Sequence, residues 1–401
     1  MIEPASTPMP VLKLRRHEDK RLRAGHLWVY SNEVDTSERS LTDHAPGSLV
    51  RVHDSRDKFI GHAYVNPQAL ICARILSRDE QRPVGPALLA DRIRSALALR
   101  ERLYRQPCYR LVFGESDGLP GLVLDRFGDV VVGQIATLGM EQLRPLVEGA
   151  VREVVAPRCL VWKHDGGFRD LEKLPKEVVA AFGEVPEQVE ILEEGLRFSA
   201  SLVGGQKTGW FFDQAANREH LRRYVKSGAR VLDVCSYVGA WALSALHHGA
   251  GQAECVDASQ SALDAAQRNA AANGRELVVH KGDAFDVLER LAAEGQRYDL
   301  VIVDPPAFIK RRKDQHQGEA AYRRLNQLAM KLLADDAILV SCSCSFHLAQ
   351  ETLPTLLQTA AANLGLTLQI LEFGGQSPDH PVHPAVPETK YLKSLFCRVS
   401  R

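Results

Sequence analysis

The sequence predicts an α/β protein whose carboxyl-terminal half is a Rossmann-like, doubly wound domain, preceded by a small β-barrel and a central α+β domain. Strand and helix patterns alternate from residue 231 onward, which means right-handed βαβ units and a parallel sheet. Acidic residues close four successive strand patterns in that region. The first 80 residues instead hold short strand runs broken by Gly, Pro and Asn, a pattern that favours a barrel.

Bulk properties are those of an ordinary globular protein. The 401 residues are 45% hydrophobic and 25% charged, enough apolar material for a core in each of two to three domains of roughly 100–200 residues. Lys plus Arg and Asp plus Glu both number 50. That balance excludes a mainly electrostatic nucleic-acid binder, although a neutral total can hide a basic face. The eight cysteines show no disulfide framework, so they read as reduced thiols of a cytoplasmic protein. Residues 1–10 lack the apolar core of a signal peptide, no apolar run is long enough to span a membrane, and no membrane partner is expected.

Taken in order, strands are expected near residues 26–30, 48–52, 59–65 and 69–76. A polar stretch with Pro83 and Pro86 marks a boundary, giving domains over 1–82, 83–195 and 196–401. The middle part reads as a helix over 87–104 and strands at 109–113, 122–125 and 130–135, the last two joined by a Phe127-Gly128-Asp129 turn. A helix over 139–154 and strands at 159–163 and 190–193 follow. The last part reads as strands at 231–234, 253–257, 277–280, 298–304 and 337–341. Helices alternate with them, starting at Ala240 and Ser259, spanning 284–293 and 319–333, and starting near Gln350. Strands at 366–372 and 393–399 give an antiparallel finish.

Ligands of an open α/β sheet bind beyond the carboxyl ends of its strands. Those ends carry Asp233 with Ser236, Tyr237 and Gly239, Asp257 with Ala258 and Ser259, Asp283 with Ala284, and Asp304. A glycine-containing turn before a helix lets backbone approach a ligand. An acid after the second strand accepts from ribose hydroxyls, and a third suits an adenine amino group. A nucleoside-bearing cofactor fits, whereas the missing Gly-x-Gly-x-x-Gly argues against a dinucleotide. Gly204-Gly-Gln-Lys-Thr-Gly209 has the wrong spacing for a phosphate loop. Lys207, Thr208, Gly209, Phe211, Asp213, Gln214 and Asn217 instead read as a loop and helix start lying across the cofactor, with a helix cap at Asp213 as the bland alternative.

The segment Asp304-Pro305-Pro306-Ala307-Phe308 stands where a substrate base would meet the cofactor. Ser341-Cys342-Ser343-Cys344-Ser345 ends the next strand. Cys342 and Cys344 share a face of an extended strand, and Cys344 lies nearer its carboxyl end, which ranks it first as nucleophile. Cytosine C5 is too weak a nucleophile to take a methyl group directly. Addition of a thiolate at C6 activates C5 and divides one difficult step into two. The alternatives are a buried structural cysteine and a zinc site with His347. A structural zinc site needs four ligands, and no second pair presents itself, so no metal is expected.

These motifs together resemble the family of ribosomal RNA large subunit methyltransferase I, 5-methylcytosine enzymes of bacterial 23S rRNA. The resemblance rests on Arg21-Leu-Arg-Ala-Gly-His-Leu-Trp-Val-Tyr30, Gly114-Glu-Ser-Asp-Gly-Leu-Pro-Gly121, Asp125-Arg-Phe-Gly128, Gly205-Gln-Lys-Thr-Gly209, Asp304-Pro-Pro306, Ser343-Cys-Ser345, Asp379-His-Pro-Val382 and Tyr391-Leu-Lys393. It implies a PUA RNA-binding domain, a central domain and a class I methyltransferase domain using S-adenosylmethionine. It implies Cys344 as nucleophile, Asp304 as the motif carboxylate and Asp233, Asp257 and Asp283 as cofactor ligands. The family often has Lys after the two prolines; this chain has Ala307.

Large-subunit rRNA is therefore the expected partner, with a homodimer also considered. A cytosine must leave its stack to meet a thiol. Pro305, Pro306, Phe308, Lys310, Arg311, Arg312 and His380 are the expected substrate contacts. Residues 11–30 add six basic side chains that serve either RNA phosphates or plain solvation. The rivals are methylation of a guanine nitrogen, which needs no thiol, and a non-enzymatic ribosome-assembly factor that retains a cofactor pocket.

Overall fold

The computed structural model describes residues 9–202 and 208–401, which divide into two compact units. The first comprises residues 1–189, 201–210 and 379–389; the second comprises 190–200, 211–378 and 390–401.

The first unit carries two sheets. Strands β1 (Val11–Lys13), β2 (Trp28–Tyr30), β3 (Leu49–His53), β4 (Phe59–Val65) and β5 (Ile71–Ser77) form one in the order β1-β3-β4-β5-β2, with helix α1 (Asp19–Arg23) between β1 and β2. β1 is an edge strand of three residues inside what reads in sequence as a basic segment. The second sheet has the order β10-β9-β8-β7-β6, from β6 (Cys108–Phe113), β7 (Leu122–Phe127), β8 (Val130–Ile135), β9 (Cys159–Lys163) and β10 (Val178–Phe182). β7 and β8 pair through the expected two-residue turn, with Phe127 opposite Val130. β10 escapes sequence reading because it is a half-exposed edge strand with no clean alternation.

Helix α2 (Pro86–Leu103) opens with a proline at a first-turn position, where no N–H is needed. The single helix expected over 139–154 is two helices, α3 (Leu138–Gln142) and α4 (Arg144–Val154). Pro145 explains the break: it has no N–H to donate to the preceding helical turn. Tyr64 of β4 joins the second core and bonds Pro120 and Thr137 through its hydroxyl.

In the second unit β11 (Gln188–Glu193) and β12 (Leu196–Ser201) form a two-stranded ladder. The main sheet has seven strands: β13 (Arg230–Val234), β14 (Gln252–Asp257), β15 (Val278–Lys281), β16 (Tyr298–Val303), β17 (Leu333–Ser343), β18 (Thr367–Gly374) and β19 (Lys393–Ser400). Their order is β15-β14-β13-β16-β17-β19-β18. The first five run parallel, and β19 pairs antiparallel with both neighbours. The helices are α5 (Ala215–His220), α6 (Ala240–His247), α7 (Gln260–Ala272), α8 (Ala284–Ala293), α9 (Gln315–Lys331) and α10 (Thr352–Ala362).

Fully covered parallel strands read as unbroken apolar runs. Leu300, Val301, Ile302 and Val303 are all essentially buried. Leu232 and Val234 join one large core with residues of α9 and α10. Side-chain alternation turns Asp233 to the other face, where it meets the backbone of α6. α8 begins where expected because Asp283 caps it through the Phe285 N–H. α9 starts four residues earlier than expected, extending through the polar residues that follow Asp314.

Candidate active site

The expected residues of the second unit gather at the carboxyl ends of β13 to β17. Each loop there has a physical reason for its shape. After β13 the backbone passes through positive φ at Cys235, Tyr237 and Gly239. Gly239, at φ 79°, caps α6, and a Cβ on it would lie 3.0 Å from that of Ala266. Any larger residue there would be strained and crowded. The irregular turn delivers the Tyr237 N–H to Asp257 Oδ2 at 2.9 Å, while Ser259 N–H donates to Asp257 Oδ1 at 2.8 Å. Ser236 is buried, Ala258 is exposed, and Ser259 caps α7 through the Ala262 N–H. Asp283 is exposed at the start of α8, followed by Ala284. Phe211 sets its ring edge against Tyr237, with centroids 5.4 Å apart.

Asp233 is fully buried. Its Oδ2 accepts the Ala242 N–H at 3.1 Å, and its Oδ1 has no partner among the described residues. Burial, with the charges of Asp304 and Asp257 nearby, pushes its carboxyl up to about 8. An unsatisfied buried acceptor and an exposed acid two strands away are the polar anchors a nucleoside-bearing cation can use. S-adenosylmethionine, with its sulfonium, ribose and adenine, fits this donor and acceptor set.

Asp304 follows β16 and is half-buried. Gln214 Nε2 reaches both of its oxygens at 3.0 Å, and Trp241 Nε1 donates to Oδ2 at 3.1 Å. Three N–H contacts thus hold the carboxylate, more directly than the prolines after it. Gln214 is itself held: its Oε1 accepts from Asn217 Nδ2 at 2.6 Å, and Asn217 also bonds both backbone groups of Gly375. Neighbouring Gly374 allows this approach, since a Cβ there would come within 2.3 Å of Asn217 Oδ1.

Asp213 accepts from the Tyr391 hydroxyl, and its backbone carbonyl accepts from Ser377. The helix-cap alternative does not hold: α5 is preceded by Gln214 and has no side-chain cap.

The two cysteines part company. Cys342 is fully buried, donates to Ser394 Oγ at 3.3 Å, and burial drives its thiol well above the ordinary range. Cys344 stands just beyond β17, half-buried, with Sγ 4.0 Å from the carbonyl oxygen of Pro305. The sulfur and the Asp304 turn therefore meet at adjacent strand ends. Pro305 is buried and Pro306 exposed. Phe308 packs on Tyr322, centroids 4.8 Å apart, so its ring belongs to the core as much as to the cleft. Lys310, Arg311 and Arg312 are exposed, with Arg311 paired to Asp314 at 3.0 Å.

Three expected contacts belong to the first unit. Thr208 is buried and donates to Asp125, and Gly209 adopts φ 115°. His380 is 2% exposed, its Nδ1 is 2.8 Å from Asp379 Oδ1, and its ring lies against Phe113. Asp379 is itself anchored by Arg100, Arg110 and Tyr104. The proline-flanked segment is thus a rigid, anchored turn, and His380 is packed where a base contact was expected. Lys207 lies outside the described residues.

Half of the six basic side chains near the amino terminus are paired with acids. Lys13 pairs with Asp57 at 3.1 Å, Arg21 with Glu33 at 2.7 Å, and Arg23 with Asp54 at 2.6 Å. One cluster with metal-ligand character, Glu141, His164 and Glu177, occurs among the described residues. Arg144 and Arg169 already bond its acids. A cavity of about 540 Å³ lined by Leu333, Leu366 and Val399 sits at the opposite end of the main sheet, away from the acids.

Sequence reasoning missed Trp241 and Lys393. Trp241 reads as helix core. Lys393 was visible within Tyr391-Leu-Lys393, but only its place at the head of β19, anchored to the Ser345 carbonyl, gives it meaning.

A PUA-like domain family matches residues 12–78, and an S-adenosylmethionine-dependent methyltransferase family matches residues 172–398. The ribosomal RNA large subunit methyltransferase I of Cronobacter sakazakii is 34% identical over 97% of this chain and 99% of its own length. That of Yersinia pestis is 34% identical, also over 97% and 99%. The crystal structure of SMU.776 complexed with SAH is similar with a TM-score of 0.83, at 20% identity over 97% of this chain and 100% of that one. That last likeness speaks to the fold alone.

Proposed function

The chain belongs to the ribosomal RNA large subunit methyltransferase I family of S-adenosylmethionine-dependent methyltransferases, and from that premise we propose that it methylates C5 of a cytosine in large-subunit rRNA through a Cys344 adduct. One observation carries the proposal: a half-buried thiol stands beside the turn that carries a carboxylate fixed by three N–H contacts.

We assign the cofactor to the loops ending β13, β14 and β15, held by Asp233, Asp257 and Asp283, with Phe211, Gln214 and Tyr237 around it. When bound, it supplies the electrophilic methyl group that C5 accepts. Cys344 forms a bond to C6 of the base, which turns C5 into an enamine-like carbon. Asp304, preorganised by Gln214 and Trp241, meets the N3/N4 edge and stabilises the adduct without reorganising. After methylation a base takes the C5 proton and the carbon–sulfur bond breaks, returning the thiolate. A cytosine reaches this cleft only when unstacked. Lys310, Arg311 and Arg312 meet its flanking phosphates.

The division at residues 82/83 and 195/196 is kept as the division of labour between PUA-like, central and catalytic parts. The cytoplasm is the proposed compartment; among the described residues no helix is long and apolar enough to cross a membrane. A homodimer is a subsidiary proposal: a dimer mass by light scattering supports it, and a monomer mass removes it.

The main test is incubation with labelled cofactor and unmodified 23S rRNA, followed by digestion and nucleoside mass spectrometry. 5-Methylcytidine is the expected product. A methylated guanosine instead would replace the thiol mechanism, and no product with intact RNA and cofactor would revive an assembly role.

A further inference from the structure

Among the described residues Lys393 is an ammonium without a carboxylate partner. It opens β19, in register with Ser343 of β17. Its Nζ donates to the carbonyls of Ser345 at 2.6 Å and Tyr391 at 2.8 Å. Among the described residues it pairs with no acid. Two carbonyl contacts orient the group and leave its full charge, and one of them fixes it to the residue next to Cys344.

The surroundings say what that charge serves. Burial lowers the Lys393 ammonium to about 8, the Cys344 sulfur opposes that shift, and Lys390 adds to it. From α9 the neighbour is the phenol of Tyr322, bonded to Ser345 Oγ at 2.8 Å, and from β17 it is the buried thiol of Cys342. Asp304 lies in the turn whose Pro305 carbonyl meets the sulfur. An acid, a phenol and a second thiol bring no positive charge to a thiolate; a cation does. Lys390 is exposed and spends its Nζ on Gln350 at 2.7 Å. Lys393 remains.

We infer that Lys393 is the counter-cation of the Cys344 thiolate, a positioning residue that keeps the nucleophile ionised near neutral pH beside the Asp304 carboxylate. The inference rests on the proposed role of Cys344. An unassisted thiol of pKa about 8.5 is only a few per cent thiolate at pH 7, and an adjacent cation lowers that value. The ionisation is simple: the S–H proton leaves to solvent, and the negative sulfur stays against the ammonium.

The test reads ionisation without turnover. Intact protein is alkylated with iodoacetamide across pH 5–10, and modification of the Cys344 peptide is followed by mass spectrometry, with Cys344→Ser as blank. Each event forms a carbon–sulfur bond and releases iodide, so the rate tracks thiolate. In the wild-type chain the midpoint should fall below the ordinary thiol value of about 8.5. Lys393→Gln should raise it by about one pH unit, cutting the pH 7 rate about fivefold from a midpoint near 7, and Lys393→Arg should restore it. Cofactor binding by calorimetry and circular dichroism should be unchanged in both. A wild-type midpoint at or above about 8.5 overturns the inference without any variant. So does Lys393→Gln with an unmoved midpoint. Methylation surviving in Cys344→Ala would instead sink the proposed function and leave the measured thiol midpoint standing.

Discussion

Buried charge in the first unit contrasts with the strand ends of the second, although the second also closes one buried pair, Arg218 with Glu193 at 2.5 and 2.6 Å. In the first, buried cations are closed off by acids: Arg100 holds Asp117 at 2.6 and 2.8 Å, Arg110 holds Asp125 at 2.8 and 2.9 Å, and Arg169 holds Glu141 at 2.8 Å. In the second, the strand ends leave polar groups open. Among the described residues Asp233 has an oxygen with no partner and Lys393 has no acid. A closed pair is structural cement, because removing one member strands the other in low dielectric. An open charge is tolerated where a ligand or reacting group completes it. The difference separates scaffold from site more sharply than cavity volume does here.

The comparison can be broken at four points. Cys344→Ala should lower methylation by at least about 10³-fold while leaving cofactor affinity and melting temperature near wild type; radiolabel transfer to 23S rRNA checks it, and near-normal turnover would sink the thiol role. Arg100→Met should act the other way. Leaving Asp117 buried and unpaired costs about 3–5 kcal/mol of stability, read by urea unfolding of the whole chain, and a loss under about 1 kcal/mol would show the pair is not cement.

Asp233 sharpens the contrast through pH. Its carboxyl is raised from 3.8 to about 8 in the folded protein, so the folded state holds the proton more tightly than the unfolded chain does. That contribution is complete at low pH and is lost as pH rises through about 8. Glu194, raised to about 7 by burial, acts in the same direction. The melting temperature of cofactor-free protein should therefore fall toward alkaline pH, and Asp233→Asn should flatten most of that slope while weakening cofactor binding. An unchanged slope in the variant would mean that Asp233 is ionised throughout. The smallest expected effect is at the exposed charges: Arg312→Ala should reduce the dependence of RNA affinity on salt by about one phosphate contact, measured by titration at several ionic strengths.

Much of the second unit was legible in the chain. Strand ends at Asp233, Asp257 and Asp304 could be read because covered parallel strands are continuous apolar runs that stop abruptly at a polar residue. The α8 start could be read because Asp283 is a side-chain cap. Edges were harder. β1 and β10 are short or half-exposed, and their strand character comes from the partner they pair with. The pairing within the basic segment near the amino terminus was not legible, because its acids, Asp54 and Asp57, lie far along the chain from Lys13 and Arg23. The burial of His380 was hidden for the same reason: it reads as a loop residue, and only packing against Phe113 buries it.

The sequence alone determined the βαβ rhythm, the acids at the strand ends and the preference for Cys344 over Cys342, since each follows from periodicity or position along a strand. Only the tertiary structure decided which charges are left open. Pairing depends on distances between residues remote in sequence: Arg100 and Asp117 close on each other, while among the described residues Lys393 meets two carbonyls instead of an acid. Coulomb energy in a partly buried site follows those distances and the local dielectric, and neither is written in the order of the residues.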